Sequence, residues 1–268
     1  NLRHIPEAIE LLFVLIRRLV TQRRVHAGAV VEGLDVIEDR GAGRRSGGEA
    51  LVIDDLVFEA APERFDEGVV VAVTFAAHGG DEAVVGEHPS VSAAGELGRA
   101  ICARLSQDGL DLVAADLDLE AAQSLVAQLP LSPGQRALAV HADLGDPASI
   151  ATLVEHVGAA FGRIDVVVNN AAVNHRGSIY DFDVAKWDHM MAVNLRAPAL
   201  ICQHVAPYWQ RQASGRVINM VSRCWVAGGP PAYVACKAGL VGLTRSMARE
   251  LADYNVTVNA IAPGLLPS

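Results

Sequence analysis

The chain has 268 residues, 51% of them hydrophobic and 20% charged, enough for one large or two small globular domains with a sizeable core. A formal net charge of −9 argues against a nucleic-acid surface, which needs clustered Lys and Arg. No apolar run approaches the roughly 18 residues of a membrane helix, and the short run 11–16 ends at Arg17 and Arg18 without a small-residue cleavage site.

Composition changes near residue 90. Residues 1–90 hold nine Arg, no Lys and sixteen Asp or Glu. In chain order they offer an amphipathic helical stretch (9–20), a Gly/Arg-rich linker (40–48) and an apolar run (69–75) that reads as a strand. No motif with chemistry occurs there. This lysine-free, Arg/Val/Ala-rich segment resembles translation of the wrong frame or strand of a GC-rich gene. It is therefore expected to be unrelated to residues 91–268, of no recognised family, and spurious or poorly ordered. The four cysteines, Cys102, Cys202, Cys224 and Cys236, all fall after it, at spacings that match neither a zinc site nor a disulfide framework. Reduced thiols in a cytoplasmic protein, without a metal, are the expectation.

Residues 91–268 alternate regularly. Runs rich in Val, Ile and Ala at 110–115, 137–140, 164–168, 217–221 and 256–261 are separated by helix-like segments at 99–107, 119–128, 147–161, 184–212 and 232–252. Asp146-Pro147 is a good helix start, an N-cap carboxylate followed by proline at the first helical position. Runs apolar on both faces, alternating with helices, predict an α/β fold with a doubly wound parallel sheet. Ligands of such sheets bind beyond the carboxyl ends of the strands, so function belongs just after each strand.

Those strand ends carry polar or small residues. Asp116 follows the first run, eighteen residues after Gly98, where a carboxylate accepts both hydroxyls of an adenosine ribose and repels a 2′-phosphate, or is simply a solvated turn acid. Asp143-Leu144 ends the next, placed to touch an adenine edge. Asn169-Asn170-Ala171-Ala172 has small side chains that let a cofactor approach backbone, although a plain polar strand end reads the same way. Ser222 and Pro263-Gly264 end the last two strands. Asn194 lies in an apolar helical stretch, where a buried amide serves a structural or a catalytic network.

The most informative stretch is Tyr233-Val234-Ala235-Cys236-Lys237, eleven residues after Ser222. With four tyrosines and two lysines, a chance Tyr-x-x-x-Lys arises roughly 0.03 times. Side chains four apart stack on one helical face. At about 5 Å and an effective dielectric near 20, the ammonium favours the phenolate by roughly 3 kcal/mol, about two pKa units. The expectation is a tyrosine shifted toward neutrality and able to exchange a proton with an oxygen on carbon, with Ser222 as a hydroxyl donor.

Taken in order, Asp143-Leu144, Asn169-Asn-Ala-Ala172, Asn194, Ser222, Tyr233-x-x-x-Lys237 and Pro263-Gly264 resemble the motifs of the short-chain dehydrogenase/reductase family over residues 91–268. The resemblance implies a Rossmann-type fold, a nicotinamide cofactor and an alcohol or ketone substrate. It makes Tyr233 the general acid/base and has Lys237 hold the nicotinamide ribose. Ser222 orients the substrate carbonyl or alcohol, and Asn194 anchors a proton-relay water. The cofactor contacts it implies are Gly95, Gly98, Asp116, Asp143, Leu144, Asn170, Ala171, Tyr233, Lys237, Pro263, Gly264 and Leu266. Asp116 favours NAD over NADP. A 3-oxoacyl-carrier-protein reductase using NADP and a non-catalytic nucleotide-binding fragment are the alternatives.

The pattern is also broken in places. Aligning the glycine-rich turn on Gly98 puts Val91 and Ser92 at Thr-Gly and Glu96 at the middle glycine, while Gly95 and Gly98 keep a Gly-x-x-Gly spacing. Glu96 then faces phosphate or points outward. The stretch 86–91, containing Pro89, is a poor central strand; the run 69–74 is the alternative occupant of that slot. The chain begins without methionine and stops at Ser268. The family would continue for roughly fifty residues with a substrate-covering helix pair and a last strand. A truncated, incomplete sheet is therefore expected, with a homo-oligomer only for the full-length protein.

Overall fold

The computed structural model describes residues 30–34, 69–73 and 96–263. Strands β1 (Val30–Leu34), β2 (Val69–Val73), β3 (Asp111–Asp116), β4 (Ala137–His141), β5 (Val166–Asn169), β6 (Gly215–Met220) and β7 (Val256–Pro263) form one sheet in the order β1-β7-β6-β5-β2-β3-β4. Every pairing is parallel. The connecting helices are α1 (Glu96–Gln107), α2 (Leu119–Gln128), α3 (Pro147–Phe161), α4 (Val184–Met191), α5 (Ala197–Gln212), the short α6 (Cys224–Ala227) and α7 (Pro231–Glu250). This is the doubly wound architecture expected from the alternating pattern.

The strands are apolar on both faces because both are covered. Along β5, Val167 packs into a core with Ile150, Leu153, Ile201 and Trp209 of α3 and α5, while Val166 and Val168 face Ile101, Leu105 and Leu125 of α1 and α2. Neighbouring side chains of a strand point to opposite faces, so a both-sided core demands a continuous Val/Ile run. At the start of α3, the Asp146 carboxylate accepts the Ala148 N–H at 3.0 Å and Pro147 takes the first turn, as that dipeptide predicts.

Two strands of the sheet come from before the compositional change near residue 90. β2 lies at the centre, its residue Val71 in register with Val113 of β3 and Val167 of β5, two neighbours that are fully buried. The slot goes to the proline-free, β-branched run 69–73. The helical stretch 9–20, the linker 40–48 and the stretch 86–91 lie outside the described residues. β1 covers the outer edge of β7, Val30 opposite Ala260 and Val31 opposite Ile261.

The backbone pairing of β2 on both sides makes a test. Val71→Pro removes a backbone N–H from a strand paired on both sides and should lower the unfolding free energy by about 1–3 kcal/mol or more, read by urea denaturation. An unchanged midpoint would remove this segment from the sheet.

Candidate active site

β2 has β3 on one side and β5 on the other. The chain leaves β2 toward β3 and β4, then returns to β5, so the crossovers diverge at β2, and open parallel sheets bind ligands at the carboxyl ends of such a switch point. Asp116, Asp143, Leu144, Asn170, Ala171, Ser222 and Pro263 all lie at the carboxyl ends of strands, as the pattern predicts. Gly98 is buried in the first turn of α1. Gly95, Gly264 and Leu266 lie outside the described residues.

Asp116 is fully buried and its Oδ1 accepts the Asp118 N–H at 3.0 Å. Asp143 orders its own turn: Oδ1 accepts the Gly145 N–H at 2.7 Å, and its N–H donates to Ser149 Oγ at 2.8 Å. Leu144 is buried in the core just beyond it. Asn170 is 1% exposed, and neither its Nδ2 nor its Oδ1 has a hydrogen-bond partner among the described residues. Each such atom costs about 1–3 kcal/mol if left unmet. A buried amide with both functions open, at the switch point of the sheet, fits a polar ligand such as a nucleotide.

Ser222, Tyr233 and Lys237 come together. Ser222 lies close enough to the Tyr233 phenol to lower its pKa, and Ser222 Oγ accepts the Cys224 N–H at 3.3 Å. One turn along α7, Lys237 is 2% exposed and its Nζ donates to the Met220 carbonyl at 2.7 Å. Nζ stands 5.6 Å from the Tyr233 ring centroid. The expected shift of Tyr233 toward neutrality is overturned. Burial pushes the phenol up to about 12, reinforced by the Cys224 thiol nearby, and Ser222 only partly opposes it. Burial lowers Lys237 from 10.5 to about 8. Desolvation disfavours the charged form of both groups, and the ammonium is engaged with a carbonyl.

Asn194 lies in a π-helical turn, Ala192–Arg196, that joins α4 to α5. Its Oδ1 accepts the Val173 N–H and its Nδ2 donates to the Val173 carbonyl, each at 2.8 Å. The amide thus clamps the segment after β5 onto the helix. The turn packs against α7 beside Lys237. A side chain at Gly239 would bring its Cβ to 2.9 Å from Leu195, so glycine permits that approach. Sequence reasoning misses a buried polar chain: Asn169 Nδ2 donates to Asn219 Oδ1 at 2.8 Å, and Asn219 Nδ2 donates to Thr244 Oγ1 at 2.9 Å. An asparagine inside the apolar run 217–221 is its visible signal. Among the described residues, no group of His, Cys, Asp and Glu could hold a metal, and no helix is long and apolar enough to cross a membrane.

Residues 91–268 match the family model for short chain dehydrogenases. The chain is 37% identical over 171 residues to a subunit of (2S)-[(R)-hydroxy(phenyl)methyl]succinyl-CoA dehydrogenase from Thauera aromatica, covering 63% of this chain and 68% of that protein. To a 3-oxoacyl-[acyl-carrier-protein] reductase from Thermotoga maritima it is 35% identical over 176 residues, covering 65% of this chain and 71% of the other. A metagenomic short-chain oxidoreductase solved with NADP superposes with TM-score 0.61 at 33% identity, over 74% of this chain and 84% of that one. An NAD+-bound xylitol dehydrogenase does so with TM-score 0.64 at 25% identity, over 75% and 72%. The chain belongs to the short-chain dehydrogenase/reductase family, oxidoreductases that act on CH–OH groups and bind NAD(P).

The buried lysine predicts a pH signature. Between pH 8 and 10.5 the unfolded chain holds a proton on Lys237 that the folded chain has released, so stability rises with pH there. Relative to a Lys237→Met variant, the wild type should gain up to roughly 3 kcal/mol across that window in denaturant titrations. A flat difference curve would contradict the burial of the ammonium.

Proposed function

We propose that the chain carries the hydride-transfer site of an alcohol dehydrogenase or ketoreductase, with NAD as its preferred cofactor. The observation that carries this reading is the buried Lys237 one turn along α7 from Tyr233, with Ser222 close by and the unmet amide of Asn170 at the carboxyl end of β5. Asp116 would hold the adenosine ribose, Asn170 and Ala171 would line the nucleotide, and Lys237 would hold the second ribose. Asp143, Leu144 and Pro263, with Gly95, Gly98, Gly264 and Leu266, complete the proposed cofactor contacts. The nicotinamide, when bound, supplies the hydride chemistry.

The side chains then have separate tasks. Ser222 donates a hydrogen bond to the substrate carbonyl and fixes its orientation. Tyr233, kept protonated by burial, gives its proton to that oxygen as charge develops on it. Lys237 sits one turn away as the cation that favours proton loss from the phenol. Asn194 holds the Val173 backbone and thereby the wall beyond β5. The water-anchoring role rests on the family resemblance. The free cysteines support a reducing, cytoplasmic setting.

Reduction of a 3-oxoacyl thioester is the second reading, supported by the Thermotoga relative. A buried carboxylate at Asp116 weighs against the NADP that such reductases usually take.

Tyr233→Phe should lower ketone turnover by about 10²–10⁴ while NADH affinity, followed by fluorescence, stays nearly unchanged. Unchanged turnover would refute the acid/base assignment. Asp116→Ala should raise the use of NADPH relative to NADH; a wild type that already prefers NADPH would overturn the cofactor choice.

A further inference from the structure

The helix that carries Tyr233 and Lys237 is pinned to β6 at two points. Lys237 Nζ donates to the Met220 carbonyl at 2.7 Å, and Thr244 Oγ1 accepts the Nδ2 of Asn219, the residue before Met220, at 2.9 Å. Lys237 and Thr244 are seven residues apart, two helical turns, so they share one face of α7 and the pins stand roughly 10 Å apart along its axis. Asn219 and Thr244 are fully buried. Leu240 and Val241 cluster with Ala260 and Ala262 of β7, but apolar packing carries no direction. Two hydrogen bonds set the rotation of a helix more sharply.

The donors and acceptors along this line determine one another. Thr244 has one hydroxyl proton, and it goes to the Leu240 carbonyl at 2.7 Å. The oxygen is then free only to accept, so Asn219 turns its Nδ2 toward Thr244 and its Oδ1 toward β5. There Oδ1 accepts Asn169 Nδ2 at 2.8 Å, which leaves Asn169 Oδ1 as the unmet end of the chain among the described residues. One hydroxyl on α7 therefore orients the amides at the carboxyl ends of both β6 and β5. Those amides stand next to Met220 on one strand and Asn170 on the other.

We propose that Asn219 and Thr244 are positioning residues for the proton transfer: their hydrogen bond sets the rotation of α7 and thereby holds Tyr233 at the reacting oxygen. The chemistry so served rests on the oxidoreductase reading. Thr244 stands eleven residues beyond Tyr233, roughly 16 Å along the axis, so it acts through the helix rather than on the substrate. Rotation about the Lys237 pin alone would carry the phenol sideways. A misplacement of about 1 Å at reacting groups is enough to cost roughly 10²-fold in rate.

The test compares Thr244→Val, which keeps the shape and removes the hydroxyl, with Thr244→Ser, which keeps the hydroxyl. With NADH and a ketone, Thr244→Val should lower kcat by about 10–100-fold and leave NADH affinity within about two-fold. Thr244→Ser should stay within about three-fold of the wild type. A second readout needs no turnover: the stability each chain gains over its own Lys237→Met counterpart between pH 8 and 10.5. Tyr233, Cys224 and Cys236 are the titratable groups around the ammonium, and all three are present in every chain compared. That gain should shrink by about half or more in Thr244→Val, as the loosened ammonium regains water, and persist in Thr244→Ser. A threonine that only stabilises the fold would lower the unfolding temperature and leave kcat and the pH-dependent gain unchanged. That result, or a serine variant as impaired as the valine one, overturns the proposal. Thr244→Ala takes the place of Thr244→Val if the latter does not fold. Absence of ketone turnover in the wild type would defeat the proposed function alone, and the pH-dependent gain would still decide this inference.

Discussion

The hydrogen bond from Lys237 Nζ to the Met220 carbonyl, 2.7 Å long and almost sealed from water, is the constraint on which the site depends. An ammonium so placed is costly unless a polar group meets it, and the carbonyl at the end of β6 does so. That contact fixes the distance between the β6 end and α7. Ser222 stands two residues after Met220, and Tyr233 precedes Lys237 by one turn. The same contact therefore brings Ser222 close to the Tyr233 phenol. Gly239 lets the Asn194 turn close on this helix from the other side.

The interior around this pair is polar in a disciplined way. The chain from Asn169 through Asn219 to Thr244 ties β5, β6 and α7 together, and Thr244 Oγ1 continues it to the Leu240 carbonyl at 2.7 Å. Asn169 and Asn219 are in register on adjacent strands, so the bond runs across the sheet at its carboxyl end. Within this network Asn169 Oδ1 stays unmet, and next to it stands Asn170, whose Nδ2 and Oδ1 both lack a partner among the described residues. Unmet polar atoms thus gather at the carboxyl end of β5, on Asn169, Asn170 and Asn174.

Much of the architecture is legible because local chemistry decides it. The helices 119–128 and 147–161 begin and end where the pattern predicts, with side-chain caps from Asp118 and Asp146. The strands differ by one to a few residues at their ends, where a fraying boundary carries little sequence signal. The long helical segment 184–212 is interrupted by a π turn at Asn194 that periodicity alone does not announce. The carboxyl-end residues are legible through the general rule that open parallel sheets bind ligands there. The clamp on Val173 and the asparagine chain are not, since each joins residues 21 to 50 apart.

The sequence by itself determined the elements and the local pairing of Tyr233 with Lys237, because helical spacing is a short-range property. Tertiary structure alone decided which apolar run takes the central slot and which way the phenol's proton affinity moves. Both outcomes depend on burial. The slot between β3 and β5 is defined by strands distant in sequence. The removal of water from the phenol and the ammonium, set by the helices and strands that close around them, outweighs the attraction that their spacing suggests.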